Sequence, residues 1–371
     1  MRKALVHDWY YTNGGAEKVI HSLNNIWEDF EHFALVDFLN DKQREYILNN
    51  KKATTSFIQK LPTAKSNHRK FLQLFPYAIE QFNLENYDVV VSSSASIAKG
   101  VLTNQNQLHI CYCHSPMRYA WDLYHQYLKD AGLTKGLKGM YAKYVLHKMR
   151  SWDVSSSNRV DYFIANSKYI QKRIKKVYNR ESTVIYPPVN TNAFVLETNK
   201  DNYYFTASRM VSYKKIDLIV KAFNKMPEKK LVVAGIGPDY ELVKNLAQKN
   251  ITILGFVSDE EMIKYLQKAK AFVFAAEEDF GIIPVEAQSC GTPVIGYGKG
   301  GLLETVKHDV TGVHFNEQTE TSLIEAVNYF ETKSFDSRKI NEHAQAFSKE
   351  RFEEEIKLFV EEKYNLFKEM D

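Results

Sequence analysis

Short apolar runs recur along the chain, each followed by a longer stretch of helical period. Residues 3–7 form the first, then comes Gly14-Gly15 and a helical pattern from Ala16. Residues 87–92, 108–112 and 162–165 continue the series, and 183–186 ends it at Pro187-Pro188. A polar stretch at 197–202 follows, and the rhythm restarts with strands predicted at 203–207, 230–234, 251–254, 271–275 and 293–296. Helices are predicted between these at 215–224, 240–249, 259–268 and 283–290. A repeated strand–helix order predicts mostly parallel, doubly wound sheets. The fold class expected is therefore α/β, with two Rossmann-like domains facing across a cleft. Their bounds are 1–190 and 200–347. Residues 348–371 supply an amphipathic, Glu/Lys-rich helix, read as 348–370, that crosses back to the first domain.

Length agrees with this division, since 371 residues exceed one ordinary core. Hydrophobic residues make up 44% and charged residues 25%, the composition of a globular chain. Cys111, Cys113 and Cys290 show neither a zinc spacing nor a disulfide framework, which points to a reducing, cytoplasmic setting and no metal site. The first residues lack the apolar run of a signal peptide, and no stretch reaches the roughly 18 apolar residues of a membrane span.

In open α/β sheets, ligands bind beyond the carboxyl ends of the strands, so the chemistry is sought there. Glu278-Asp-Phe-Gly-Ile-Ile-Pro-Val-Glu286, continuing to Gly291-Thr-Pro293, follows the strand at 271–275. Gly281 permits a tight turn, and Pro284 suits a first helical turn. Amides near Phe280, Gly281, Ile282 and Ile283 then form a helix start suited to a diphosphate. Glu278 and Glu286 stand at either end and can accept bonds from sugar hydroxyls. Acidic residues favouring a helix dipole would explain either glutamate alone. Asp279-Phe280-Gly281 also matches the kinase magnesium motif, but no other kinase element accompanies it.

Arg209 and Lys214 follow the strand at 203–207, with Lys215 the alternative to Lys214. Two fixed cations there suit a diphosphate leaving group, and a solvated basic loop is the plain alternative. Gly14-Gly15 before a helix is not the dinucleotide fingerprint. Asp8 sits at the end of the first strand. His114 follows the strand at 108–112 in Cys113-His114-Ser-Pro-Met-Arg118-Tyr-Ala-Trp121-Asp122. Its position before Ser-Pro makes it a functional candidate, whereas Trp121 also suits a core.

The Glu278-x7-Glu286 motif with its Gly-Thr-Pro continuation resembles the signature of the family 4 glycosyltransferases, which have the GT-B fold. The resemblance implies a retaining, metal-independent hexosyltransferase with no cofactor, using a nucleotide sugar as substrate. It implies that Glu278 contacts the donor sugar and Glu286 the ribose. It places Arg209 and Lys214 on the diphosphate, the Gly15 amide on the distal phosphate, and His114 near the donor sugar. Gly237, Phe256 and Val257 fall in loops that bind the base. Asn166-Ser167 also matches, at the domain interface. Asp8, Arg118, Trp121 and Asp122 are assigned to the acceptor side. The Met-Arg-Tyr-Ala-Trp-Asp segment resembles a bacterial subgroup of GDP-mannose-dependent mannosyltransferases of polysaccharide and O-antigen assembly. The expected partners are GDP-mannose and a glycan or polyprenyl-diphosphate-linked glycan. A UDP-sugar transferase, a sugar-nucleotide epimerase and a non-catalytic nucleotide-sugar-binding subunit are the alternatives. No pyridoxal-binding lysine site supports a phosphorylase.

The formal net charge is only +4, yet residues 129–180 hold thirteen Lys/Arg against three Asp. Residues 57–82 mix further lysines and arginine with aromatic side chains. This pattern suits peripheral contact with an anionic membrane, the inner face of the cell membrane, as much as it suits solvated helix faces. No nucleic-acid module is present.

Overall fold

The two series of strands build two separate parallel sheets, in a computed structural model that describes residues 1–12 and 14–369. One unit comprises Met1–Pro188 and the chain from Phe352 onward; the other is Val189–Arg351.

The first unit carries β1 (Lys3–His7), β2 (Glu31–Ala34), β3 (Thr54–Thr55), β4 (Val89–Ser94), β5 (Leu108–Cys113), β6 (Tyr162–Ala165) and β7 (Ser182–Val184). Their spatial order is β3-β2-β1-β4-β5-β6-β7, and every pairing is parallel. The central strands β1, β4 and β5 are buried along their whole length, and the apolar residues 4–6, 89–91 and 110–112 within them carry the pattern, while Ser92, Ser93, Ser94 and His109 are buried polar residues of the same strands. The pattern missed β2 and β3: one mixes Glu31 and His32 with apolar residues, the other has two residues.

The second unit carries β8 (Tyr204–Ala207), β9 (Leu231–Ala234), β10 (Ile251–Gly255), β11 (Ala271–Phe274), β12 (Val294–Tyr297) and β13 (Gly312–Phe315), ordered β10-β9-β8-β11-β12-β13 and again all parallel. Helix Asp259–Lys268 matches its predicted bounds, because Ser258 and Glu261 form a capping box that marks its start. Helix Tyr240–Leu246 stops short of residue 249, where Ala247 turns to extended backbone.

Helix Lys349–Glu369 sends Phe352, Ile356, Phe359 and Val360 into the core of the first unit, beside Leu5, Leu23 and Ile110. Tyr112 meets Phe352 edge-on at 5.8 Å. The expected return of the C-terminal helix to the first domain is thus observed. Met370, its expected last residue, lies outside the described residues.

In each sheet the strand order reverses once. The reversal falls between β1 and β4 in the first unit and between β8 and β11 in the second. Such points leave a crevice at the strands' carboxyl ends, where adjacent loops diverge.

Candidate functional site

The two second-unit motifs leave the sheet on either side of its reversal point. Arg209 follows β8 and is exposed, whereas Met210 beside it is fully buried and anchors the loop. A short 3₁₀ turn, Ser212–Lys214, then brings Lys214 toward the loop after β11. The Lys214 ammonium donates to the Glu278 carboxylate, both side chains being largely buried. Lys215 takes a left-handed conformation (φ 57°) as it opens helix Ile216–Asn224. Of the two lysines, Lys214 is the one joined to the acidic motif.

After β11 the chain turns at Gly281 (φ 89°) into helix Ile282–Ser289, whose start has no side-chain cap. Its first amides therefore offer N–H donors where the helix dipole is positive. Glu286 lies within this helix and is 8% exposed. Phe280 is buried and packs edge-on to Phe347 at 5.6 Å, so its side chain serves the core while its backbone shapes the turn. Phe256, after β10, is 75% exposed, and Val257 packs partly against the core.

In the first unit, Gly14 precedes helix Gly15–Ile26, and its N–H donates to Glu17 Oε2 at 2.9 Å. His7, the last residue of β1, lies opposite Ser93 of β4. His7 Nδ1 is 3.1 Å from both the carbonyl and the hydroxyl oxygen of Ser93. The Ser93 hydroxyl in turn lies 2.7 Å from His114 Nε2. Burial opposes the charged form of His7, but Glu17 and Asp8 outweigh it and raise its pKa above 6.5. Burial and the charge of His7 push His114 down to about 3.

Two family models match the chain: Glycosyltransferase Family 4 over residues 13–193 and Glycosyl transferases group 1 over residues 189–350. The chain belongs to the family 4 glycosyltransferases. It is similar to the Alpha-1,3/1,6-mannosyltransferase ALG2 of Mus musculus, 26% identical over 64% of this chain and 65% of that protein. It is also similar to the O-antigen chain mannosyltransferase RfbU of Salmonella typhimurium, 30% identical over 38% of this chain and 43% of that one. The chain thus spans less than two thirds of the length of these curated relatives. Among solved structures it is similar to Anabaena Alr3699/HepE in complex with UDP, at 17% identity and TM-score 0.70, covering 98% of this chain and all of that one. Sucrose-phosphate synthase from Thermosynechococcus elongatus gives 14% identity and TM-score 0.71, covering 99% and 100%. Both likenesses are of fold, the GT-B pair of Rossmann-like domains.

In this family 4 chain the acceptor-side candidates are largely spent on the framework. Asp8 is buried rather than exposed at the strand end. Its carboxylate accepts from the N–H groups of Ala95, Ile97 and Ala98, each at 2.7 Å, and so caps the turn after β4. Trp121 donates from its indole to the buried Asp153 at 2.8 Å. Asp122 pairs with Arg173, which also donates to Ser115 at 2.9 Å. Arg118 is half-buried in the same loop, and its carbonyl accepts from Leu123.

Gly237 also packs closely against a neighbouring loop. A β-carbon there would lie 2.3 Å from the Met210 carbonyl oxygen, so this glycine lets the loop after β9 brace the Arg209 loop. Gly300, which the motif reading passed over, braces Glu278 in the same way. It has φ 68°, and a β-carbon would sit 2.3 Å from the Glu278 carbonyl oxygen. A glycine pair after a strand, Gly300-Gly301, was the available signal. His7, Ser93 and Glu17 were also not singled out as a group, since they are distant in sequence. Ser167 caps helix Lys168–Tyr178, and Asn166 donates to the His114 carbonyl at 3.0 Å. Among the described residues, no group of three or more His, Cys, Asp or Glu could hold a metal ion.

Proposed function

We propose that this chain transfers a hexose, with retention and without a metal or other cofactor, from a nucleotide sugar to a glycan or polyprenyl-diphosphate-linked glycan in cell-surface polysaccharide assembly. The observation carrying this reading is the Lys214–Glu278 contact at the reversal point of the second sheet, beside exposed Arg209 and the uncapped start of helix Ile282–Ser289. Departure of a nucleoside diphosphate builds negative charge on its oxygens. Arg209, Lys214 and the helix-start amides are positioned to stabilise that charge, and preorganised groups do so without reorganising during the step. Glu278 holds the Lys214 ammonium in place and has acceptor capacity for a sugar hydroxyl. Glu286 is assigned to the ribose.

Mannose from GDP-mannose is the proposed donor, supported by the mannosyltransferases among the relatives. UDP sugars are the alternative, supported by the UDP bound to a fold neighbour. Thermal shift with GDP-mannose, GDP, UDP-glucose and UDP tests this, since a ligand stabilises the fold according to its affinity. Stabilisation by the GDP ligands alone is expected; stabilisation by the UDP ligands alone overturns the donor assignment. Diphosphate release should fall about 100-fold or more in Arg209→Ala. Unchanged release in both Arg209→Ala and Glu286→Ala overturns the site.

We further propose that the first unit meets an anionic membrane surface. Helix Gly136–Ser157 turns Leu137, Met140, Tyr141 and Tyr144 outward, 83%, 65%, 55% and 59% exposed. Exposed Lys138, Lys143 and Lys148 flank them. Such a mixture of apolar side chains and cations suits insertion among anionic headgroups.

A further inference from the structure

Four side chains in the first unit form a chain across its reversal point: Glu17, His7, Ser93 and His114. Glu17 Oε1 stands 3.9 Å from His7 Nε2. His7, Glu17 and Ser93 are 3%, 5% and 0% exposed. Buried polar hydrogens are nearly always paired with an acceptor.

That requirement decides the direction of every bond. The Ser93 carbonyl oxygen can only accept, so His7 Nδ1 carries a hydrogen. The Ser93 hydroxyl shares that donor and therefore accepts from His7. Its own hydrogen then has one outlet among the described residues, His114 Nε2 at 2.7 Å. Were His114 Nε2 protonated instead, the hydroxyl would face two donors and its own hydrogen would have no acceptor among the described residues. Neutral His114 must then carry its hydrogen on Nδ1.

We propose that Glu17, His7 and Ser93 are positioning residues that hold His114 as the neutral Nδ1–H tautomer, so that His114 presents a hydrogen-bond donor to a sugar oxygen. The claim that this donor serves the reaction rests on the reading of His114 as a donor-sugar residue; the tautomer itself does not. Glu17 has a second consequence. Its other oxygen accepts the Gly14 N–H, so one carboxylate ties the helix start at Gly15 to the His7–Ser93–His114 chain. The groups facing His7 are Glu17 from the first helix, Ser93 from β4, Asp8 and Tyr10 from its own segment, His114 beyond Ser93, and His32 on β2.

Histidine-labelled full-length protein, read by long-range ¹⁵N–¹H correlation, tests this, with the His114 signals assigned by their loss in His114→Gln. The expected spectrum has His114 Nδ1 protonated and Nε2 unprotonated at neutral pH. Ser93→Ala should convert His114 to a mixture of tautomers. Should that variant fail to fold, Glu17→Gln decides, because its amide oxygen can still accept the Gly14 N–H. There, the His7 and His114 signals should both shift. A protonated Nε2 in the unsubstituted protein, or a His114 spectrum unmoved by either folded variant, overturns the proposal. If His114 serves the reaction, Ser93→Ala should lower kcat about tenfold or more with the donor KM little changed, the scale of a lost orienting partner. A shifted tautomer with kcat unchanged in both Ser93→Ala and His114→Gln supports the relay and removes His114 from the reaction.

Discussion

Gly300 has no chemistry of its own, yet the Glu278 backbone rests against it. A side chain at this position meets both a left-handed φ of 68° and the Glu278 carbonyl at 2.3 Å. Gly300→Ala should therefore lower stability by about 1–3 kcal/mol, a strain value for such backbone, and displace Glu278 from Lys214. Chemical denaturation gives the first quantity, and diphosphate release, expected to fall, the second. A variant of unchanged stability and turnover would show that the loop yields without consequence. Asp8 illustrates the converse at the same scale. A carboxylate at a strand end reads as a ligand group, but three amides converge on it and take up its charge within the fold. Nothing in the residues near Asp8 announces those amides, which come from residues 95–98.

At the scale of elements, caps decide how well boundaries are read. Ser258-x-x-Glu261 announces its helix, whereas the Asn40–Gln43 capping box of helix Asp41–Leu48 was not read from the sequence. Ser167 belongs with these, since its hydroxyl accepts from Ile170 at 3.1 Å and starts helix Lys168–Tyr178. Family resemblance set Asn166-Ser167 at a domain interface; within the first unit they start a helix and hold the His114 loop. Ser167→Ala should cost about 1 kcal/mol, visible as a lower denaturation midpoint. Ser167→Asp should recover most of it, and a midpoint equal to the unsubstituted protein in Ser167→Ala would deny the cap its role. The strands show where pattern reading loses force. Fully buried β1, β4 and β5 are plain in the sequence. β2 and β3 are not: β2, paired on both sides, opens on exposed Glu31 and carries His32, and the edge strand β3 has only two residues.

For the whole molecule, the buried histidines His109 and His32 weaken the fold in acid, while the raised pKa of His7 acts in the opposite sense. His109 sits wholly inside, with Nδ1 3.1 Å from the Arg159 carbonyl and Nε2 2.8 Å from the Ser92 hydroxyl. Burial lowers its pKa to about 4, and His32 falls to about 3 for the same reason. The unfolded chain takes up these protons near pH 6.5 while the folded chain does not. Stability is therefore present above 6.5 and declines as pH falls toward 4. At pH 5 the loss from His109 alone should be about 2 kcal/mol, 1.5 pH units at roughly 1.4 kcal/mol each. Denaturation midpoints between pH 7 and 4.5 measure this, and a flat profile would contradict it. Charge placement gives a second prediction. Of the thirteen cations in residues 129–180, Arg159 and Arg173 are held by Glu80 and Asp122, and Arg180 by backbone carbonyls. Lys138, Lys143 and Lys148 remain on the exposed aromatic face. Flotation with anionic vesicles should weaken on charge reversal at these three and at higher salt. Flotation unaffected by either would remove the membrane from the proposal.

By itself the sequence determined the repeated strand–helix order, the two parallel sheets and the loops bearing Arg209, Lys214, Glu278 and Glu286. These follow from local pattern, because a buried parallel strand carries a run of apolar residues and its ligand loop follows its carboxyl end. Tertiary structure alone decided what those loops meet. It joined Lys214 to Glu278, placed Gly237 and Gly300 behind the working loops, and took Asp8, Trp121 and Asp122 into the framework. It also brought His7, Ser93 and His114 into one hydrogen-bonded chain with Glu17 beside His7. The physical reason is the strand order. Parallel pairing sets β1 beside β4 and β8 beside β11, strands far apart in sequence, and contacts across such pairs leave no local pattern to read.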